Sequence, residues 1–408
     1  MKQSRYNVKI DLDGDLYLFN LWKGTLVSLE PDELNNISNN NFTEIPEKEI
    51  NTLLNLGFLT NVEDEFEEVK KENQYIVDNP KKFSICISST FKCNAKCSYC
   101  FEKGIASKEM DKETIDAIVD YIEKNAKLDH THITWFGGEP LVGFNNILEI
   151  SQKLNDRNVK FYSSMISNGY LLDKYLDAMI EECHLKRVQI TLDGLYEEYD
   201  AVKQLGINGF SKVISNIHLA IEKKLKVSIR INYNSENLCD YKKLIKFVYD
   251  EFGNKVSLYF HDIVGEEFKT PNEVKPNPLL KIYDEMLNYG YIKNIKDFRL
   301  KRTYMSCALN IPSFINVCPD GETTKCEHYV GRQSQFSVGN INVNKDFSKQ
   351  FNVVHDSCAY CRCFPICGGV CLSNHLVKKN GGCTRIKSIV EEVIKLYIRR
   401  CRDESNAC

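Results

Sequence analysis

The segment FSICISSTFKCNAKCSYC, residues 83–100, places three cysteines directly after a strand-like run. Cys93, Cys97 and Cys100 lie within eight residues of one loop. A [4Fe–4S] cluster normally takes four thiolates. Three protein ligands would leave one iron open, and an open coordination position makes a metal site reactive rather than structural. The alternative is a structural zinc site, completed by a His or a further Cys.

Strand-like and helical patterns alternate downstream of this loop, which predicts an α/β fold with a parallel sheet, open or barrel-like. Its functional site is expected at the carboxyl ends of the strands, where the three cysteines fall. The predicted strands are Phe83–Ser88, Thr131–Phe136, Lys160–Ile166, Arg187–Leu192, Lys226–Tyr233 and Lys255–His261. The predicted helices between them are Lys112–Ala126, Asn145–Leu154, Leu172–Glu182, Phe210–Lys223 and Cys239–Tyr249, and a final helix is predicted at Ile386–Arg400.

Composition excludes several classes of protein. Apolar residues make up 43% of the 408 residues, which is enough for a sizeable core, and the net charge of −3 offers no electrostatic footprint for nucleic acid or an anionic membrane. No apolar run approaches the roughly 18 residues that a membrane span needs, and no signal segment is evident. We therefore expect a cytoplasmic protein that binds neither nucleic acid nor membrane.

The seventeen cysteines are unevenly distributed and indicate two sulfur-rich sites. Four lie between residues 86 and 100, nine between 307 and 383, and only Cys183 and Cys239 in the interval between these groups. Because the cytosol is reducing, such clusters indicate metal binding or catalysis rather than disulfides. Cys86, inside the first strand, is expected to pack as a small buried residue.

The Cys-x3-Cys-x2-Cys spacing, with Tyr99 before the last cysteine, resembles the signature of the radical S-adenosylmethionine (SAM) superfamily. The resemblance extends over about residues 82–385. It implies a partial (β/α)6 barrel and a [4Fe–4S] cluster whose open iron binds SAM. One electron then cleaves SAM to a 5′-deoxyadenosyl radical, which abstracts hydrogen from the substrate.

Other segments match the cofactor pocket of this family. Gly137-Gly138-Glu139-Pro140 follows the second strand as the family's Gly-Gly-Glu-Pro does, and Glu139 is expected to accept from the methionine ammonium. Ser167 and Asn168 resemble a segment that contacts the ribose or carboxylate of the cofactor. Arg230 could pair with that carboxylate or form a structural salt bridge. The remaining expected cofactor contacts are Tyr99 and Asp193. The dipeptide Asp193-Gly194 resembles an Asp-Gly of relatives, whereas Tyr199-Asp200 stands where the family often has His-Asp.

The C-terminal cysteines match the SPASM domain, an extension of radical enzymes that modify peptides and proteins. The resemblance implies two auxiliary [4Fe–4S] clusters, hence three clusters in all, although zinc ribbons would use the same residues. The first auxiliary cluster would take Cys307, Cys326 and Cys371, and the second would take Cys358, Cys361, Cys367 and Cys383. Cys318 would be a fourth ligand of the first cluster or a bystander, and Cys363, Cys401 and Cys408 are expected to have no role.

Glu327 directly follows Cys326 and matches an Asp proposed as a proton acceptor in sulfatase-activating relatives. It is predicted to act as a general base, with a solvated surface carboxylate as the alternative. Its neighbour His328 is equally ambiguous.

The N-terminal residues indicate a peptide substrate. Strand-like runs around Tyr6–Asp13, Asp15–Leu21 and Gly24–Leu29, followed by a helical pattern at Glu47–Leu59, fit a winged-helix-like element. In the peptide-maturing radical enzymes that this chain resembles, such an element often captures a leader peptide by adding it as a strand to a sheet edge. The predicted domains are therefore a leader-peptide recognition domain (1–78), a radical SAM partial barrel (79–300) and a SPASM domain with a C-terminal helix (301–408).

The function expected from these resemblances is maturation of a ribosomally synthesised precursor peptide under anaerobic conditions. An intramolecular Cys thioether is the leading product, and flavodoxin or ferredoxin is the expected reductant. A carbon–carbon crosslink between side chains and formylglycine formation on a sulfatase are the enzymatic alternatives. A zinc- or iron-binding interaction module is the non-enzymatic one.

Overall fold

The computed structural model describes residues 1–126, 130–206, 208–233, 240–263, 278–298, 300, 302–304, 307–343, 346–351, 353–371 and 385–406. The chain divides into two compact units. The barrel unit comprises residues 80–278 and 311–350, and the terminal unit comprises residues 1–79, 279–310 and 351–408. The predicted domains, residues 1–78, 79–300 and 301–408, stay predictions. Residues 301–408, predicted as one domain, are divided between the two units.

A nine-stranded sheet forms the centre of the barrel unit, in the order β11-β10-β9-β8-β7-β6-β12-β13-β14. Strands β6 to β11 pair in parallel with their neighbours, which confirms the predicted parallel α/β architecture. These six strands are Phe83–Thr90, Thr131–Gly137, Phe161–Ser167, Leu185–Thr191, Lys226–Tyr233 and Val256–Asp262. Each lies within about three residues of its predicted position.

Helices connect the parallel strands and bury their apolar faces. They are α4 (Lys112–Asn125), α5 (Phe144–Asp156), α6 (Leu172–Glu181), α7 (Tyr196–Lys203), α8 (Gly209–Glu222) and α9 (Tyr241–Phe252). The Asp111 carboxylate begins α4 by accepting the Thr114 N–H at 2.8 Å, a standard N-terminal cap. The sequence did not predict α7, and residue 239, at the predicted start of α9, lies outside the described residues.

Three short strands extend the sheet beyond β6, namely β12 (Asn316–Val317), β13 (Glu322–Thr324) and β14 (Ser337–Asn340). β12 pairs in parallel with β6, and β13 and β14 continue as antiparallel strands. The fully buried Asn316 side chain donates to the Thr324 carbonyl at 3.1 Å. This pairing explains why residues 311–350 belong to the barrel unit although they follow a long insertion in the chain.

The terminal unit begins with a three-stranded antiparallel sheet, β2-β3-β4, and a two-stranded pair of β1 with β5. These strands are Lys2–Gln3 (β1), Asn7–Leu12 (β2), Asp15–Asn20 (β3), Thr25–Leu29 (β4) and Leu59–Thr60 (β5). Helices α1 (Pro31–Ser38) and α2 (Glu47–Asn55) cover this sheet with an apolar core that includes Leu34, Leu53 and Phe58. The strand and helix pattern predicted for this segment is therefore present.

Helix α3 (Glu65–Asp78) follows these elements and was not among the helices predicted from the sequence. The Asp64 carboxylate caps it by accepting the N–H groups of Phe66 and Glu67. Phe66, Val69 and Val77 give it a buried face despite its many charges. The cap and this apolar spacing are the sequence signals of the helix.

Three further helices are described in this part of the chain, namely α10 (Pro278–Asn288), α11 (Phe364–Cys367) and α12 (Val390–Asn406). Arg302 donates to Glu72 and Asn73 of α3 and to the Pro365 carbonyl of α11. The rings of Phe66 and Phe364 pack with centroids 4.9 Å apart. The cysteine-rich segment around α11 is thus packed on α3 within one unit. Across the described residues, no helix is both long and apolar enough to cross a membrane.

Candidate active site

A cavity of about 840 Å³ opens in the barrel unit at the carboxyl ends of the parallel strands. Side chains alternate along a strand, so every second residue faces this interior. Strands β7 to β11 each contribute a residue near their carboxyl end, namely Phe136, Ile166, Thr191, Asn232 and His261. The predicted position of the site is therefore where the structure has its large cavity.

The three cysteines of the loop all line this cavity. Crowding by protein atoms raises the pKa of Cys93 to about 12 and raises the pKa values of Cys97 and Cys100 as well. The three thiols are therefore protonated at neutral pH in the protein alone. A bound metal offsets this cost because its charge favours the thiolate form.

The loop fits an iron–sulfur cluster by the kind of its donors, which are three cysteine sulfurs at one cavity. The three sulfurs of the loop face one cavity, and the Asn94 Nδ2 atom beside Cys93 is buried without a hydrogen-bond partner. Within the described residues, no group of three or more His, Cys, Asp or Glu side chains has the close spacing of bound metal ligands. The cysteines share the cavity without that spacing.

Gly137 and Gly138 let β7 approach the loop more closely than other residues would allow. Gly137 has a φ of +115°, which side chains disfavour. A Cβ on Gly138 would lie 2.6 Å from the Lys92 carbonyl oxygen and 2.7 Å from that of Phe91. Both carbonyls immediately precede Cys93. The two glycines therefore set the position of the cysteine loop and also line the cavity.

Glu139 is fully buried, and its carboxylate ties the ends of β7 and β8 together. It accepts from the Ser167 hydroxyl at 2.9 Å, the Asn168 N–H at 2.8 Å and the Leu141 N–H at 3.2 Å. Burial raises the pKa of Glu139 to about 7 against the effect of these donors. Two carboxylate oxygens offer about four acceptor positions, so one remains for a further donor.

Ser167 and Asn168 line the cavity, whereas Glu139 and Pro140 lie behind it. Asn168 Nδ2 donates to the Asn94 side chain at 2.8 Å, which links β8 to the cysteine loop. Pro140 is buried, and its carbonyl accepts the Ser89 hydroxyl. Cofactor contact by these residues stays a prediction.

Arg230 projects from β10 into the cavity. Its Nε atom donates to the Asn232 side chain at 2.8 Å, and none of the described residues forms an ion pair with it. The guanidinium is therefore oriented by a neutral neighbour, with its charge available for a carboxylate. This arrangement favours the ligand-binding alternative over the structural salt bridge.

Asp193 lies at the end of β9, outside the residues that line the cavity. Its carboxylate pairs with the Lys203 ammonium at 2.5 Å and also accepts the Tyr99 hydroxyl and the Asn232 N–H. Protein donors therefore occupy both of its oxygens. Sequence reasoning missed Lys203, which lines the cavity beside Cys97. Tyr199 and Asp200 depart from the family pattern. The Tyr199 ring is buried, and the Asp200 carboxylate accepts the Phe210 N–H.

Glu327 and His328 lie at the side of the cavity formed by the β13–β14 connection. Glu327 is exposed, and burial lowers the pKa of His328, whose ring packs on Phe101. A second carboxylate, Glu102, also lines the cavity and was not predicted. Burial raises the pKa of Glu102 to about 7.

Two of the predicted auxiliary cysteines, Cys318 and Cys326, belong to the barrel unit and are buried. Cys318 packs with Cys86, Phe136 and Val330, and its sulfur accepts the Gly331 N–H at 3.2 Å. Burial raises the pKa of Cys318 to about 12. Cys318 and Cys86 therefore have the environment of core thiols, which was predicted for Cys86.

The other auxiliary cysteines belong to the terminal unit. Cys358, Cys361, Cys363 and Cys367 line one small cavity, and ligation of a common cluster by Cys358, Cys361 and Cys367 stays a prediction. A hydrogen bond from the Cys363 thiol holds the pKa of Cys361 below its ordinary value. Cys307 and Cys371 are half-buried and do not line this cavity. Cys383 lies outside the described residues.

Comparison with known families gives a match of residues 87–248 to the radical SAM superfamily. A cysteine-type anaerobic sulfatase-maturating enzyme of Clostridium perfringens is 24% identical over 322 residues, which cover 68% of this chain and 85% of that enzyme. A GTP 3′,8-cyclase of Clostridium perfringens is 28% identical over 269 residues, which cover 60% of this chain and 80% of the cyclase.

Two solved structures share the fold. The anSMEcpe structure with bound AdoMet has a TM-score of 0.61 at 22% identity, covering 79% of this chain and 95% of that one. Streptococcus suis SuiB bound to its precursor peptide SuiA has a TM-score of 0.54 at 13% identity, covering 94% of this chain and 98% of that one.

Proposed function

The chain is an enzyme of the radical SAM superfamily, and we propose that it matures a ribosomally synthesised peptide by installing an intramolecular Cys thioether. The observation that carries the proposal is the combination of a three-cysteine cavity in the barrel unit with a small sheet and a four-cysteine cavity in the terminal unit. When bound, a [4Fe–4S] cluster and SAM supply a radical that abstracts hydrogen, and auxiliary clusters supply an electron acceptor.

The barrel unit would bind and orient these groups. Cys93, Cys97 and Cys100 would hold the cluster. Gly137 and Gly138 would let backbone approach the cofactor, and the Arg230 guanidinium would pair with its carboxylate. The cavity walls would exclude water from the reactive radical. Glu327, exposed at the cavity, would accept the proton that the substrate Cys loses when its sulfur bonds to carbon.

The terminal unit supports a peptide substrate with a leader sequence. Among the described strands, β4 pairs only with β3 and leaves its other edge unpaired. The opposite edge strand, β2, has its Leu12 carbonyl bound by Arg402 of α12 at 3.3 Å. An unpaired edge is a template for adding a strand. β4 is therefore the edge at which we propose that the leader binds.

The share of this chain that each of the two solved structures covers favours peptide maturation over sulfatase maturation. The SuiB fold, solved with a precursor peptide, matches 94% of this chain, whereas the anSMEcpe fold matches 79%. Formylglycine formation nevertheless remains the second candidate because a sulfatase-maturating enzyme is a relative over 322 residues. A carbon–carbon crosslink is the third product that the same residues would serve.

One experiment separates the products. The anaerobically reconstituted enzyme is incubated with SAM, reduced flavodoxin or ferredoxin, and a Cys-containing precursor encoded beside its gene. A thioether removes two hydrogens and makes that Cys resistant to alkylation. A carbon–carbon crosslink has the same mass change but leaves the Cys alkylatable, and formylglycine reacts with hydrazides. An alkylatable Cys in every product would overturn the thioether proposal.

Leader binding has a separate test. Hydrogen exchange of the full-length enzyme is compared with and without the precursor. Amides of β4 (Thr25–Leu29) should exchange more slowly in the complex, and those of β2 (Asn7–Leu12), the matched control, should be unchanged. Protection of β2 rather than β4 would show that the leader does not bind at the proposed edge. A precursor lacking its leader should protect neither strand.

A further inference from the structure

Lys203 is the last residue of α7, and its ammonium is completely enclosed by the barrel unit. The side chains of Lys203 and Asp193 are only 3% and 1% exposed. The Nζ atom lies 2.5 Å from the Asp193 carboxylate, 2.6 Å from the Tyr99 hydroxyl and 2.7 Å from the Thr191 hydroxyl. A buried lysine is costly unless it is paired and hydrogen-bonded. Here all three ammonium donors have partners.

Two of the Lys203 contacts reach the cysteine loop. The Tyr99 hydroxyl belongs to the residue between Cys97 and Cys100, and the Lys203 carbonyl accepts the Lys96 N–H at 2.9 Å. The loop is therefore held at two points that flank Cys97, one through a side chain and one through the backbone. Lys203 is 104 residues away from Tyr99 in the sequence.

Asn232 reinforces the same arrangement from β10. Its backbone N–H donates to Asp193 at 2.7 Å, and its side chain donates to the Tyr99 hydroxyl at 3.3 Å. The ends of β9 and β10 are thus linked to the cysteine loop through one network. Because Lys203 also lines the cavity, its charge acts on the space that the cysteines face.

The electrostatic effect of Lys203 on the loop has a definite sign. Burial disfavours its ammonium, but Asp193 and Tyr99 hold the pKa of Lys203 above its ordinary value, so it is charged. Lys203 lines the same cavity as Cys97, so its positive charge acts at this ligand, and the paired Asp193 carboxylate offsets part of that charge. A positive charge inside a protein stabilises added negative charge much more than it would in water. An electron added to a cluster on this loop is such a charge.

We propose that Lys203 is a positioning residue for the cluster of Cys93, Cys97 and Cys100, which fixes the loop through Tyr99 and makes the cluster easier to reduce. Lys203 touches neither substrate nor cluster ligands in this role. Its effect is exerted through the loop geometry and through its charge. The role concerns this cluster only, because the network lies wholly within the barrel unit.

The test measures the reduction potential of this cluster in full-length reconstituted enzyme, by electron paramagnetic resonance during a potentiometric titration. Asp193→Asn is compared with the double variant Lys203→Met/Asp193→Asn, so that removal of the lysine charge leaves no unpaired carboxylate. At a fixed potential, the double variant should have at least a tenfold lower ratio of reduced to oxidised cluster. A tenfold change corresponds to about 59 mV for one electron.

Two further variants keep the result interpretable. Lys212→Met removes a partly exposed lysine that pairs with Asp173 at 3.3 Å, and it should leave the potential and the spectrum unchanged. Lys203→Arg keeps the charge but not the geometry, so the potential should stay nearer to the wild-type value than in the double variant, while the resonance lines change. Equal potentials in Asp193→Asn and the double variant, at full iron content, would overturn the charge role. Unaltered lines in Lys203→Arg and the double variant would overturn the positioning role.

Discussion

Replacing Gly138 by alanine should displace the cysteine loop without removing any of its ligands. The added Cβ would lie 2.6 and 2.7 Å from the carbonyl oxygens of Lys92 and Phe91 and 2.9 Å from the Lys92 carbonyl carbon, whereas ordinary contacts begin at 3.4 Å. All three atoms are backbone, so no side chain can rotate away. The loop before Cys93 must therefore move by about 0.8 Å, close to the misplacement of about 1 Å that costs on the order of a hundredfold in rate.

The assay is formation of 5′-deoxyadenosine from SAM by the reduced enzyme, at matched iron content. Gly138→Ala should fall about a hundredfold, which is about 2.7 kcal/mol of transition-state stabilisation. Gly206→Ala is the control, since its φ of +99° brings backbone strain but no atom lies within 4 Å of its new Cβ. It should stay within about threefold of wild type. A Gly138→Ala enzyme with full iron content and nearly wild-type cleavage would refute the geometric reasoning.

Further predictions concern pH, stability and the proton acceptor. Burial lowers the pKa of His132 to about 4, below the unfolded value near 6.5, so its contribution to stability is present above pH 6.5 and is lost as the pH falls toward 4. The His132→Phe variant should therefore lose less of its thermal unfolding midpoint than wild type between pH 6.5 and pH 4. An equal loss in both proteins would contradict this. Arg302→Ala, which removes the hydrogen bonds to Glu72, Asn73 and the Pro365 carbonyl, should lower the free energy of unfolding in urea titrations by about 2 kcal/mol. Arg362→Ala, which breaks an exposed pair with Glu391, should change that free energy by less than about 0.5 kcal/mol. Glu327→Gln should stop crosslinking but preserve SAM cleavage; product at the wild-type rate would exclude Glu327 as the base.

The parallel sheet was predictable because its signal is local. Strands such as Phe83–Thr90 and Lys226–Tyr233 are short β-rich runs between amphipathic helices, and that alternation alone indicates a parallel sheet. The three cysteines follow the first of these runs. A spacing of a few residues on one loop is readable from the sequence because chain connectivity already holds the residues together.

The network around Lys203 was not predictable because its members come together only in the folded sheet. Tyr99 and Asp193 are 94 residues apart, and Tyr99 and Lys203 are 104 apart. The sequence around Lys203 has no distinctive spacing, and α7 buries little apolar surface that would produce a periodic signal. Glu102 was missed for a related reason, since the charge that acts on it, that of Arg332, lies far along the sequence.

Helix α3 was not predicted, for a different reason. Glu65–Asp78 contains many charges, and these masked the apolar residues Phe66, Val69 and Val77. The Asp64 cap was a readable signal, because Asp is favoured at the residue before a helix. The division of residues 301–408 between two units had no such signal, since β12 and β13 have only two and three residues.

The central claim is that Cys93, Cys97 and Cys100 hold a cluster that cleaves SAM. Its most direct test compares 5′-deoxyadenosine formation by anaerobically reconstituted, dithionite-reduced enzymes. Wild type should produce 5′-deoxyadenosine and methionine, the Cys97→Ala variant should produce neither, and Cys358→Ala, altered only in the terminal unit, should retain cleavage but yield no crosslinked peptide. A wild-type enzyme with its iron in place and no 5′-deoxyadenosine, or a Cys97→Ala enzyme that still forms it, would contradict the claim.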